Sequence, residues 1–199
     1  MRVSPVAWAY DTKHELSISD VIKEAGESAS VTHDHAKGVA GAVMTATLIY
    51  IARTCNGDME KFKNNINVEA FRKYYGDVEY KYSGDLLNDK LEDISKTYKF
   101  DVTCQGTVPL AYNCFVNSMG FEDAIRNAVM VGGDTDTLCA IVGGIAEAFY
   151  GIPDDITEAT LSRLDPIMKL VITKFYEKFV FNEETKKDLD NNGFYHKNI

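Results

Sequence analysis

No apolar run among the 199 residues approaches the roughly 20 that a membrane-spanning helix needs, so no such helix is expected. The stretch 1–11 carries one arginine and no long apolar core, which is not the pattern of a secretion signal. None of the four cysteines (Cys55, Cys104, Cys114, Cys139) stands in a Cys-x-x-Cys pair, and no histidine lies at the short spacing of a zinc site. Free thiols in a reducing compartment follow, and the cytoplasm is the expected location. No Pro/Gly/Ser-rich linker and no fixed-period repeat divides the chain. One domain over 1–199 is therefore expected, with a mobile tail over 190–199. Positive charge is also short, since 21 Lys and Arg against 30 Asp and Glu leave a net charge of −9. Such a domain is a poor general partner for nucleic acid or an anionic membrane, and neither is expected as a partner.

What is present is an ordinary globular balance, 45% apolar and 26% charged, with a dominant helical period. Ile18, Val21, Ile22, Ala25 and Ala29 share one helix face, with Ser17 or Ser19 as its cap. A second helix is read over 34–53, made slim by Gly38, Ala40, Gly41, Ala42 and Ala46 and therefore buried and central. A third is read over 59–75, with Phe62, Ile66, Phe71 and Tyr74 facing the core and Gly76 as its stop. Val78, Tyr80 and Tyr82 alternate with charges like a short strand, and 85–99 reads as helix or helical turns. Pro109 suits the first turn of a helix reaching 118, before Gly120. Further helices are read over 122–131, 134–150 and 166–181, the second rich in small residues and ended by Gly151 and Pro153. The expected fold class is all-α.

Two segments carry polar chemistry at helix starts. Gly132-Gly133-Asp134-Thr135-Asp136-Thr137 puts two carboxylates, each beside a hydroxyl, after a backbone that can bend sharply. Hard oxygen donors of this kind suit Mg²⁺, Mn²⁺ or Ca²⁺ rather than zinc, and a helix N-terminus favours a phosphate. An acid at a helix start is also the commonest cap. A cap needs only one acid, and two at the mouth of a buried helix repel unless a cation lies between them. Thr32-His33-Asp34-His35 opens the other slim helix. Its histidines are two apart and cannot readily chelate one metal. Either one imidazole donates to a ligand, or Thr32 or Asp34 caps the helix and the rings are exposed.

Taken in order, Thr32-His33 leading into Gly38-Val39-Ala40-Gly41-Ala42, then Phe121-Glu122-Asp123-Ala124-Ile125, then the Gly-Gly-Asp-Thr-Asp-Thr string, then Ala146-Glu147-Ala148-Phe149-Tyr150-Gly151, resembles the ADP-ribosylglycohydrolase family. The resemblance runs from Met1 to about Pro153. It implies an orthogonal all-α bundle with two divalent ions, Mg²⁺ or Mn²⁺, in a central cleft. By it, Asp134, Asp136 and Thr137 are metal ligands and His33 lies near bound ADP-ribose. Arg2 and Ser4, in Met1-Arg2-Val3-Ser4-Pro5, belong to the end of a phosphate-binding loop. The ligand it implies is ADP-ribose or an ADP-ribosylated acceptor, and the reaction is hydrolysis of the glycosidic bond between them.

Met1 falls inside the family's loop motif, so the chain is expected to be truncated at the N-terminus. The family's first third would carry a Gly-Asp-Ala-x-Gly turn, the acidic residue and a Thr-Asp-Asp metal motif. No Thr-Asp-Asp occurs here, and Asp154-Asp155 is no substitute. On this reading the catalytic acid is unknown, metal binding is weak or absent, and the isolated chain is inactive. The alternative is a non-catalytic helical remnant or half of a split enzyme, acting as a metal-binding or interaction module. Apolar surface left uncovered on the helices around 38–52 and 140–148 is expected to make the chain a homo-oligomer.

Overall fold

The computed structural model describes residues 1–9, 17–66 and 85–180, and over them the protein is all-α, with no strand. The helices are α1 (Ser4–Ala9), α2 (Ile18–Ser30), α3 (Ala36–Thr54), α4 (Met59–Asn65), α5 (Leu91–Thr97), α6 (Cys104–Val116), α7 (Phe121–Val131), α8 (Thr135–Tyr150), α9 (Asp154–Leu161) and α10 (Pro166–Phe175). A π-helical turn, Tyr176–Val180, follows α10. Phe71, Tyr74, Gly76, the candidate strand at Val78, Tyr80 and Tyr82, and the 190–199 tail lie outside the described residues.

The two small-residue helices are central, as their composition predicts. Helix α3 packs against α1, α2, α6 and α8, and α8 packs against α3, α6 and α7. Gly144 shows why the small residues matter. A Cβ there would come within 2.9 Å of Ser4 Oγ and 3.4 Å of Ile49 Cδ1. Helix α2 also meets α3 at a glycine but less tightly, a Cβ at Gly26 lying 3.7 Å from Val39 and Val43. Its buried stripe is narrower than the sequence suggests: Val21 and Ala25 are buried, whereas Ile18 and Ile22 are exposed. The start of α2 is a capping box, in which the Ser17 amide donates to Asp20 Oδ2 at 2.7 Å.

Several boundaries differ from expectation. Helix α6 begins five residues before Pro109, because Thr103 caps it, its Oγ1 accepting from the Gly106 amide at 3.1 Å. Pro109 therefore sits inside the helix, where it cannot donate to the preceding turn. Helix α4 stops at Asn65, since Ile66 is extended (φ −90°, ψ 122°). The predicted helix over 166–181 is α-helical only to Phe175. Its π turn brings the Tyr176 hydroxyl back to donate to Glu147 of α8. The short α9 has no counterpart among the sequence expectations.

The apolar faces expected to be uncovered are covered. Met44, Leu48, Ile49 and Ile51 of α3 and Ile141, Val142 and Ile145 of α8 are all buried. Exposed apolar side chains gather instead on α10, at Ile167, Met168, Leu170 and Val171. Phe62, Phe115, Phe149 and Tyr150 form an aromatic cluster at the C-terminal end of α8, with the Phe62 and Phe115 ring centroids 5.0 Å apart. Buried Asn113 ties the loop before α5 to this core, donating to the carbonyls of Leu86 (3.0 Å) and Asp89 (2.9 Å).

Candidate functional site

The N-terminal ends of α3 and α8, the C-terminal end of α2 and the start of α6 surround a cavity of about 360 Å³. Slim residues of α3, Gly38, Gly41 and Ala42, leave the room for it. Arg2 and His33 line one side, and Thr137 and Ile141 of α8 line another. Thr103, Cys104 and Thr107 of α6 complete the wall. Three of the sequence-predicted site residues, Arg2, His33 and Thr137, therefore share one cavity.

Arg2 and His33 are joined through Thr32, a link the sequence motif contains but does not explain. Arg2 Nη2 donates to the Ser28 carbonyl at 2.9 Å and to Thr32 Oγ1 at 2.6 Å, and Thr32 Oγ1 lies 2.8 Å from His33 Nδ1. His35 has a different partner. It caps α3, its Nδ1 accepting from the Lys37 amide at 3.3 Å. Neither Thr32 nor Asp34 caps that helix.

Across the cavity, the Gly132-Gly133 turn has φ of +84° and +77°, the left-handed region that glycine enters freely. Gly133 has a second reason to be glycine. A Cβ there would lie 2.6 Å from Cε1 of Tyr98, whose ring covers the turn. Burial, with Asp101 and Asp134 nearby, pushes the Tyr98 phenol up to about 12. Nothing in the sequence pointed to Tyr98, because its partnership with the turn depends on how α5 and α7 pack.

Asp134 occupies the cap position of α8, yet its carboxyl makes no capping hydrogen bond. It contacts Asp136 instead. That contact, followed by the amides of Thr137 and of Asp136 itself, holds the Asp136 carboxyl below the usual carboxylate range. Asp134 is half-buried and Asp136 exposed. Among the described residues neither has an ion-pair partner. The two carboxyls directly precede Thr137, which itself faces the cavity. Two carboxylates and a hydroxyl are hard donors that fit part of a Mg²⁺ or Mn²⁺ shell, with water filling the rest. No group of three or more His, Cys, Asp or Glu side chains among the described residues is placed to hold a metal ion.

Ser4 lies apart from these residues. It opens α1, half-buried, with its hydroxyl against Gly144 rather than on the cavity wall. Cys104 does line the cavity, and burial raises its thiol. All four cysteines are unpaired, and no helix of the described residues is long and apolar enough to cross a membrane.

A family model described as ADP-ribosylglycohydrolase matches residues 1–187. A protein of Archaeoglobus fulgidus is 28% identical over 183 residues, 89% of this chain and 56% of the relative. The ADP-ribosylhydrolase ARH3 of Homo sapiens is 28% identical over 190 residues, covering 80% of this chain and 51% of its own. The protein of the same name from Mus musculus is 27% identical over 183 residues, 76% of this chain and 48% of its own. The chain thus spans about half the length of the curated relatives it matches.

Proposed function

Because the chain belongs to the ADP-ribosylglycohydrolase family, we propose that its cavity binds ADP-ribose and that it serves the hydrolysis of the bond between ADP-ribose and an acceptor. The observation that carries this reading is the convergence of Arg2, His33 and Thr137 on one cavity beside the Asp134–Asp136 pair. Among the described residues only Nη2 of Arg2 is engaged, with Ser28 and Thr32, which leaves its Nε and Nη1 donors for an anion. His33 adds a ring nitrogen beside it. A diphosphate on this side would leave the ribose toward α8.

On the α8 side, Asp134, Asp136 and Thr137 would hold Mg²⁺ or Mn²⁺. The ion supplies charge to orient ribose hydroxyls and to polarise water. The absence of a capping bond on Asp134 supports a ligand role over a purely structural one. Hydrolysis requires a water oxygen to bond to the anomeric carbon as the bond to the acceptor breaks, the proton passing to the acceptor. No described residue is assigned as the acid for that proton. With only two carboxylates and a hydroxyl gathered, the chain by itself is proposed to bind but not to turn over at a family rate.

Calorimetric titration of ADP-ribose with and without Mn²⁺, paired with release of ADP-ribose from a modified peptide, tests this. The wild type should bind, Asp136→Ala should lose the Mn²⁺ dependence, and peptide turnover should be absent. No binding under either condition would overturn the reading. Turnover that vanishes in Asp134→Ala would overturn the inactivity. The unpaired thiols support a reducing, cytoplasmic setting. The exposed apolar residues of α10 support self-association, and light scattering showing only monomer at high concentration would remove that element.

A further inference from the structure

We propose that Thr32 is a positioning residue: it holds the neutral His33 ring as the Nε2–H tautomer, so that the ring offers the cavity a hydrogen-bond donor. The assignment follows from the donors and lone pairs around one hydroxyl. Thr32 Oγ1 is 2.6 Å from Arg2 Nη2, 2.8 Å from His33 Nδ1 and 3.5 Å from the Ala29 carbonyl. A guanidinium only donates, so the Arg2 contact takes one lone pair of the hydroxyl. The single hydroxyl proton then goes either to Ala29 or to His33.

Ala29 is already served. Its carbonyl accepts from the amides of Thr32 at 3.2 Å and His33 at 2.9 Å, the bonds that close the C-terminal end of α2. A carbonyl has two lone pairs, so the hydroxyl would be a third donor at the longest distance. His33 Nδ1, at 2.8 Å, is the better acceptor. The cationic Arg2 polarises the hydroxyl it donates to, which strengthens the bond Thr32 gives onward. With Nδ1 accepting, the ring proton of neutral histidine resides on Nε2. Among the described residues Nε2 has no partner, and the ring lines the cavity.

The consequence deepens the proposed function and rests on it. An Nε2–H beside the free Arg2 donors favours an acceptor-rich ligand, such as a phosphate or a ribose oxygen. The opposite tautomer would turn a lone pair on the same atoms and repel them. Thr32 also lines the cavity, but its hydroxyl is taken up by Arg2 and His33, so it acts through the His33 ring.

Nitrogen-15 NMR of the full chain, labelled at histidine and recorded at pH 8, above the ordinary imidazole range, reads the tautomer directly. Loss of signals in His33→Gln identifies His33 among the four histidines. The wild type should show a protonated Nε2 and a bare Nδ1. Thr32→Val should lose this bias and bind ADP-ribose about tenfold more weakly, and Thr32→Ser should restore the tautomer and bring affinity within about threefold. Thr32 is exposed, and equal circular dichroism and melting of the variants exclude misfolding as the cause. A wild type protonated at Nδ1, or a Thr32→Val protein with unchanged tautomer, would overturn the proposal. If the tautomer is as stated and depends on Thr32, but ADP-ribose does not bind even the wild type, the positioning stands and the ligand reading falls.

Discussion

At its C-terminal end α8 closes on aromatic rings, whereas at its N-terminal end it meets a glycine turn, two carboxyls and a cavity. Phe149 and Tyr150 stack edge-on at 4.8 Å, and Phe149 lies 5.4 Å from Phe115. About 18 Å away along the helix, taking 1.5 Å per residue, Thr137 faces open space and Asp134 and Asp136 contact each other without a cation. One end is filled by packed rings, and the other is left unfilled, with two carboxyls in contact and no cation beside them among the described residues. The same helix thus joins a region that stabilises the fold to one whose open cavity and paired carboxyls suit the proposed binding role. Helix α3 follows the same plan, with glycine beside the cavity and Leu48, Ile49 and Ile51 further along.

The sharpest way to break this contrast is at the packed end. Phe115 is fully buried and its ring touches those of Phe62, Phe149 and Tyr150. Phe115→Ala should destabilise the protein by about 3–5 kcal/mol, seen as a large drop in the urea midpoint. A loss below about 1 kcal/mol would mean that the aromatic end is not where stability is concentrated.

A smaller effect is expected at the other end, from Gly133→Ala. The change combines a left-handed φ of +77° with a Cβ 2.6 Å from the Tyr98 ring. Together these should cost about 1–3 kcal/mol. They should also displace Asp134, so Mn²⁺ binding should weaken more than stability does. Equal loss in both, or wild-type Mn²⁺ affinity, would show that the turn is only a connector.

The unequal legibility of the two ends in the sequence has a physical origin. Helical period and small-residue content mark α3 and α8 as central, because close helix packing has few other sequence solutions. The Asp134–Thr137 string and His33 stand out because their residue types are chemically narrow. What the sequence hides depends on tertiary meetings: Tyr98 over Gly133, Thr32 between Arg2 and His33, and Asn113 pinning the loop at Leu86. Pro109 misled, since a proline suits the first turn of a helix and here Thr103 starts the helix earlier. Ser4 shares a motif with Arg2, but the direction of its side chain sends it to the packing against Gly144.

The smallest effect sharpens the comparison by asking what a carboxyl does when it sits toward the packed end. Glu147 is such a group, two residues from Phe149. Burial raises its carboxyl above the usual carboxylate range, and the hydrogen bond from the Tyr176 hydroxyl pulls it back only in part. A raised value in the fold means that the folded state prefers the proton. The stability it contributes is then complete below the unfolded value, about 4.3, and is lost as pH rises through the folded value. At pH 8 the ionised Glu147 therefore works against the fold. Glu147→Gln keeps an oxygen to accept from Tyr176 and removes the charge. The variant should melt above the wild type at pH 8, and the gap should close as pH falls toward 4. A variant that melts lower at pH 8 would show that the charge on Glu147 is needed. The packed end of α8 would then be no more hostile to carboxylates than the end that holds Asp134 and Asp136.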